Sequence, residues 1–446
     1  MHLASSRRPR ALILALLAAA LVLVAALPAR AVNLIRDPDI EHALTRLASP
    51  VLRAAGLDPG RVRILMVDDD SLNAFVLGGD AIFLHTGLIL KMERAAQLQS
   101  VIAHEAAHIA NGHLARRQSN LGAARNAAGF GMALAAAVAI STGEADAAAG
   151  IAAGATGSAM RRFFAHTRAE ESAADQSAIR YMLRAGVDPA GAVEVLEIFR
   201  GQEALSIGRQ DPYARTHPLT SARLRAMRGL VAANPGDGGV DPQADYWFAR
   251  AHGKLSAFTR NPGWTLRRVR GDDSQTGRMR RAIALHRQAD ANAAIREMQA
   301  LVAAHPEDPY LYELFGQILL ESRQFSAAAQ AYRNASTLAP DNALILGGLG
   351  RSLLTLDSAD AAARAVQVLE RARARDFRDG RILRDLGQAY ARSGRPGLAS
   401  LATAERYALA GRMQDARVHA TRAVDRLPRG SAAWRRAQDV LDAARN

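Results

Sequence analysis

Val101 to His113 reads VIAHEAAHIANGH, three histidines and one glutamate among mostly small and apolar residues. His104 and His108 are i and i+4. On an α-helix that spacing puts two side chains on one face, one turn apart. Both imidazoles can then grip a single zinc ion, with Glu105 close enough to take a proton from a water beside it. A helix from Arg94 to Arg117 would carry the whole stretch. His113 is nine residues past His104, about 180° around such a helix. It is therefore expected to face away from the ion, as a surface or packing histidine.

His-Glu-x-x-His is the order found in metallopeptidases, but five residues alone do not decide the matter. The version with a third histidine on the same stretch needs glycine three residues after His108 and histidine three further on. Asn111 and Leu114 stand there instead. A third ligand must come from elsewhere, and RAEESAAD (168–175) offers Glu171 and Asp175, again i and i+4. Glu171 could bind the ion while Asp175 accepts a hydrogen bond from a ligand histidine. Glu170 is a rival by adjacency, although the residue four beyond it is Ala174. A solvated acidic pair is the plainer alternative.

Further outward, Arg7, Arg8 and Arg10 precede the apolar run ALILALLAAALVLVAAL (11–27), then Pro28 and Ala29-Arg30-Ala31. That is the form of a secretory signal peptide over 1–31, cut after Ala31, with a retained anchor as the alternative. The chain has no cysteine, so any metal must be held by His, Asp or Glu. The formal charge of +14 falls by four to +10 when the leader's Arg7, Arg8, Arg10 and Arg30 are set aside. A basic surface favours anionic partners such as lipid headgroups. No nucleic-acid module is present in the sequence pattern, and no nucleic-acid partner is expected.

Periodicity predicts a helix over Asp39 to Ala55, kinked at Pro50 and stopped by Gly56. Strands are predicted over Val62 to Val67 and in two pieces, Asn73 to Val76 and Ala81 to His85, around Gly78-Gly79. Asn126 to Met160 is nearly all Ala, Gly and small apolar residues, and reads as paired small-residue helices or a flap over the cleft. Helices resume from Arg168 to Ala185. In the C-terminal part Pro306 and Pro340 are 34 residues apart, as are Ala282, Gly316 and Gly350, with Gly387 following after a three-residue slip. A 34-residue period with small residues where helices cross resembles the tetratricopeptide repeat, a binding surface rather than a catalytic centre.

NAFVLGGDAIFLHTGLI (73–89), HEAAHIANGH, the Arg168-x-x-Glu171-x-x-x-Asp175 element and Thr216-His217-Pro218, in this order, resemble the HtpX and CAAX prenyl protease-like zinc peptidases. The resemblance is to their periplasmic branch with C-terminal repeats. It implies a mainly α chain: a zincin-like α+β metalloprotease domain with a small sheet over 32–262, then an α-helical tetratricopeptide-repeat domain over 263–446. It implies that His104, His108 and Glu171 bind one Zn2+ per chain and that Glu105 is general base and acid. It also places Asp175 behind a ligand, and His217 near the metal, stabilising the oxyanion or capping the ion. The Asn73 to Val76 strand would pair with an extended substrate.

The implied function is a periplasmic zinc endopeptidase that degrades misfolded or stalled envelope and outer-membrane proteins. Its repeats would dock it to the outer-membrane assembly machinery. The alternative is a chaperone or adaptor for that assembly whose protease site is largely latent. A third reading is a peripheral membrane scaffold using the basic stretch Trp264 to Arg287.

Overall fold

RILMV (63–67) and AIFLH (81–85) are apolar on both faces, and they form the centre of a sheet covered on both sides. After the short β1 (Leu34–Ile35), β2 (Arg63–Val67) pairs in parallel with β4 (Ala81–His85). β1 lies antiparallel to β2, and β3 (Ala74–Leu77) lies antiparallel to β4 in the register Ala74↔Leu84 to Leu77↔Ala81. The order is β1-β2-β4-β3, so β3 is an edge. The computed structural model describes residues 33–77, 79–113, 115–116, 168–206, 209–218, 220–236, 239 and 241–445. The expected leader and the Ala/Gly-rich stretch 126–160 lie outside the described residues. Among those described, no helix is long and apolar enough to cross a membrane.

α1 (Pro38–Ala54) starts where Asp37 accepts hydrogen bonds from the backbone of Asp39 and Ile40, and it runs on through Pro50. Ile40, Leu44, Leu47, Val51 and Leu52 recur on one face and are buried. α2 (Thr86–Lys91) follows β4 directly, and α3 (Ala95–Ala110) packs on α1 and on strands β3 and β4. Residues 168–184 form α4, followed by α5 (Ala190–Ile198), the short α6 (Pro212–Thr216) and α7 (Ser221–Ala233). α8 (Pro242–Thr259) belongs to two cores: Ala244, Phe248, Ala251 and Leu255 pack with α1, the sheet and α3, while Ala257 begins the core of the repeats.

After α9 (Pro262–Arg268), the chain is a series of antiparallel helix pairs. These are α10 (Gln275–Arg287) with α11 (Ala291–Ala304), α12 (Pro309–Glu321) with α13 (Phe325–Leu338), and α14 (Ala343–Leu354) with α15 (Ala359–Arg375). α16 (Gly380–Arg392) with α17 (Pro396–Leu409) and α18 (Met413–Arg426) with α19 (Ala432–Ala443) complete it. The recurring glycine has a steric cause. A Cβ on Gly316 would stand 2.7 Å from the Tyr332 ring, and one on Gly350 would stand 2.4 Å from Leu369. Only glycine lets the paired helices approach this closely.

The described residues from Leu34 onward form one compact unit, and buried ion pairs join its two cores. Arg250 bonds Asp39 at 2.6 Å and Asp308 of the repeats at 2.7 Å, while Lys254 reaches Asp37 at 2.9 Å and Glu313 at 3.6 Å. Arg36 bridges Glu41 and Asp376 at 2.6 and 2.8 Å, so the loop before α16 is tied to the segment that leads into α1.

Candidate metal centre

α3 supplies His104, Glu105 and His108, buried because this helix runs through the core beneath the sheet. α4 brings Glu171 and Asp175 across from it, and His217 follows the last turn of α6. His104, His108, Glu171 and His217 are all buried and each offers one ligand atom, all within 4.8 Å of one another. Individual separations are tighter. His104 Nε2 lies 3.1 Å from His108 Nε2, 3.3 Å from His217 Nδ1 and 3.2 Å from Glu171 Oε2. Glu171 lies 3.4 Å from His108 Nε2 and 3.0 Å from His217 Nδ1. A tetrahedron whose centre is 2.0–2.1 Å from its corners has edges of about 3.3–3.4 Å, so these donors fit one zinc-sized ion.

The surroundings orient these atoms. His104 Nδ1 is 3.1 Å from Asp175 Oδ1, leaving Nε2 for the ion. Arg223 holds Asp175 with two parallel bonds, 2.6 Å from Nε and 2.7 Å from Nη2, and reaches Glu171 at 3.1 Å with Nη1. Burial alone would lower the His104 pKa, but its bonds to Asp175 and Glu171 and their charges raise it to about 9. Burial would raise Glu171, yet the His217 charge and the bonds from both histidines hold it well below the ordinary carboxylate range. Burial likewise works against an ionised Asp175, and Arg223 reverses it to keep the carboxylate low. The cluster is thus an anionic cradle around histidine nitrogens.

Glu105 differs from the other acids. It is fully buried, and among the described residues neither carboxylate oxygen has a hydrogen-bond partner; His217 Nε2 stands 3.4 Å from Oε1. Leaving two buried oxygens unbonded is costly unless a group with a proton to give is meant to stand there. Tyr213 packs its ring 4.6 Å from that of His217, and burial followed by the charge of Glu105 drives its phenol pKa well above normal.

All six residues singled out in the sequence therefore meet in one place: His104, Glu105, His108, Glu171, Asp175 and His217. Glu170 is buried but lies outside the four-residue ligand group. Of the expectation for His113 as a surface or packing histidine facing away, the packing half holds, and the outward-facing half needs correction. α3 stops at Ala110, Gly112 adopts φ +67, and His113 is turned back to lie 2.9 Å from His108, Nδ1 to Nδ1. The half-turn argument assumed a continuous helix that Gly112 interrupts. Arg223 was missed altogether; one arginine in SARLRAM, near the start of a helix, carries no local mark of its role.

A model of peptidase family M48 matches residues 35–231. This segment belongs to peptidase family M48. The M48 segment contains the motif helix, the sheet and all the residues of the centre, and it makes the chain a metallopeptidase. Over 400 residues the chain is 26% identical to the beta-barrel assembly-enhancing protease of Escherichia coli (strain K12), covering 86% of this chain and 78% of that protein. It is 24% identical over 311 residues to the protein of the same name from Yersinia pestis, covering 68% of this chain and 63% of the relative. Among solved structures, that of MamA is similar over 37% of this chain and 92% of its own, at 18% identity and a TM-score of 0.29.

Proposed function

We propose that this chain is an exported zinc endopeptidase of the periplasm that cleaves misfolded or stalled outer-membrane and other envelope proteins. Its M48 half spans 32–262, and its repeats, 263–446, dock it to the machinery that assembles outer-membrane proteins. The observation that carries the catalytic part is the pairing of four converging ligand atoms with a buried Glu105 whose oxygens are unbonded. The cellular part leans on the name and coverage of the Escherichia coli relative.

In this reading His104, His108 and Glu171 hold the zinc, with Asp175 and Arg223 fixing His104 and Glu171 from behind. When bound, the ion supplies an electrophile that polarises the scissile carbonyl and makes water acidic enough to react near neutrality. Glu105 takes the proton from that water and returns it to the leaving amine. The edge strand β3 offers backbone hydrogen-bonding groups to an extended chain, so recognition rests on an unfolded, extended substrate more than on its side chains.

His217 makes the resting centre four-cornered, whereas a catalytic zinc keeps one corner open. We therefore propose that His217 would help His104, His108 and Glu171 hold the ion at rest, and that an imidazole placed here would be free to stabilise the oxyanion when not so engaged. The same closure is the observation that favours the second reading, an assembly chaperone or adaptor with a latent site.

The test is metal content and casein cleavage of residues 32–446 beside Glu105→Gln. One zinc in both, with cleavage falling by about 10²–10⁴-fold in the variant, is the expected result. Zinc in both with cleavage in neither supports the latent adaptor, and no metal in either overturns the proposal.

A further inference from the structure

The Nδ1 atoms of the two motif histidines are held by unlike groups. His104 presents its Nδ1 to the carboxylate of Asp175 at 3.1 Å, and His108 presents its own to the imidazole of His113 at 2.9 Å. His113 is 1% exposed, and its ring stands nearly edge-on to that of His108, at 72°. The chain reaches this position by a sharp reversal. α3 ends at Ala110, Asn111 closes it with its backbone, and Gly112 takes the left-handed φ of +67 that L side chains rarely adopt. Helical conformation resumes at His113 itself. The reversal returns the third histidine to the helix face it would otherwise have left.

Two imidazole nitrogens at this distance form a hydrogen bond only if one carries a proton and the other a lone pair. If His108 is to offer a lone pair at Nε2, its single proton must sit on Nδ1. That proton then points at His113 Nδ1, which must accept it. We infer that His113 is a positioning residue for the metal centre: it accepts the Nδ1–H of His108, selecting the tautomer and ring orientation that aim Nε2 at the ion. The inference rests on the proposed role of His108 as a ligand.

The chemistry explains why a histidine suits this place. The centre already holds Glu105, Glu171 and Asp175, the last two on the Arg223 guanidinium, and a second carboxylate orienter would add negative charge to a buried site. An imidazole lone pair supplies the acceptor without it. The two ligands are then unequal. A carboxylate behind His104 makes that ring the more basic donor, and an imidazole acceptor leaves His108 the weaker one. The competing explanation is that His113 merely fills space beneath His108.

Two substitutions separate these explanations. Asn places its Oδ1 on the same branch of the side chain as the imidazole Nδ1, so His113→Asn keeps an acceptor while losing bulk. His113→Leu keeps bulk and has no acceptor. Purified residues 32–446, each protein loaded with zinc, are challenged with a chelator while zinc release is followed. Ring-nitrogen NMR of the loaded wild type reads which nitrogen of His108 bears the proton, and thermal unfolding of each metal-free variant checks folding. The expected result is Nδ1–H on His108 and zinc release from His113→Leu faster by about 10–100-fold, with His113→Asn within about threefold of wild type. Release from His113→Leu at the wild-type rate overturns the inference alone, as does Asn behaving worse than Leu or His108 carrying its proton on Nε2. A wild type that takes up no zinc overturns the ligand assignment, and the inference falls with it.

Discussion

At the metal centre Glu171 and Asp175 face the guanidinium of Arg223, Glu105 faces His217, and among the described residues no ammonium group stands with the converging ligand atoms. At the junction of M48 segment and repeats, Asp37, Asp39 and Glu313 surround Lys254, while Arg250 joins Asp39 to Asp308. Both clusters are buried and both gather carboxylates from distant parts of the chain. The junction neutralises its acids with its own cation, and Lys254 is fully buried in the middle of them. The metal centre turns histidine nitrogens inward, and the carboxylates around His104 raise its pKa. A site that carries its counter-charge in the sequence is a joint; one that leaves the centre to histidine nitrogens is suited to a guest cation.

The sharpest way to break this contrast is to remove one acid from the centre. Glu171→Gln is expected to cut bound zinc from one per chain to nearly none. It should lower peptidase activity on the order of 10³-fold or more, because the ion supplies several kcal/mol at the transition state. Its effect on unfolding in chelator should be small beside that loss. A variant that retained stoichiometric zinc would remove Glu171 from the ligand set.

The complementary experiment removes the resident cation of the joint. Lys254→Met keeps the length of the side chain and leaves Asp37, Asp39 and Glu313 without the charge at their centre. Breaking a buried pair from one side costs about 3–5 kcal/mol, so the denaturant midpoint should fall well below wild type while folded protein still binds one zinc. If unfolding is unchanged, the ammonium is incidental, and apolar packing between the two cores holds the repeats in place.

The two clusters also differ in how far they can be read from the sequence. His104, Glu105 and His108 announce themselves because their spacing has chemical meaning within one helix turn, and Glu171 with Asp175 repeats that spacing. The repeat half is legible because a small residue recurs where helices cross, twice a glycine with no room for a Cβ, at Gly316 against Tyr332 and Gly350 against Leu369. Arg223, by contrast, lies 48 residues from Asp175, and Arg250 lies 211 from Asp39. Nothing local distinguishes either from the other basic residues of a chain with 57. β1 is two residues long and forms only because β2 offers it an edge. Gly112 was visible, but its consequence was not. A glycine in a helical pattern is compatible with continuation or with arrest, and tertiary contacts around His113 decide which.

The subtlest test concerns Glu313, an acid of the joint that the lysine does not fully satisfy. Glu313 Oε2 is 3.6 Å from Lys254 Nζ and has no hydrogen-bond partner among the described residues. Burial raises its pKa, Lys254 pulls it down, and Asp37 and Asp39 push it up again, to about 7 from the model-compound 4.5. Between those two values the folded protein binds more protons than the unfolded one. Its stability contribution is therefore fully present below pH 4.5, shrinks as pH rises through that window, and is gone above about 7. Glu313→Gln fixes the uncharged form, so the difference between variant and wild type should move in favour of the variant from pH 5 to pH 8. The metal centre is common to both proteins and cancels from that difference when the two sites act independently. Urea unfolding at the two pH values reads it directly. A variant that gains nothing at pH 8 relative to pH 5 would mean that Lys254 keeps Glu313 ionised throughout, and that the joint is as well matched in charge as the centre is incomplete.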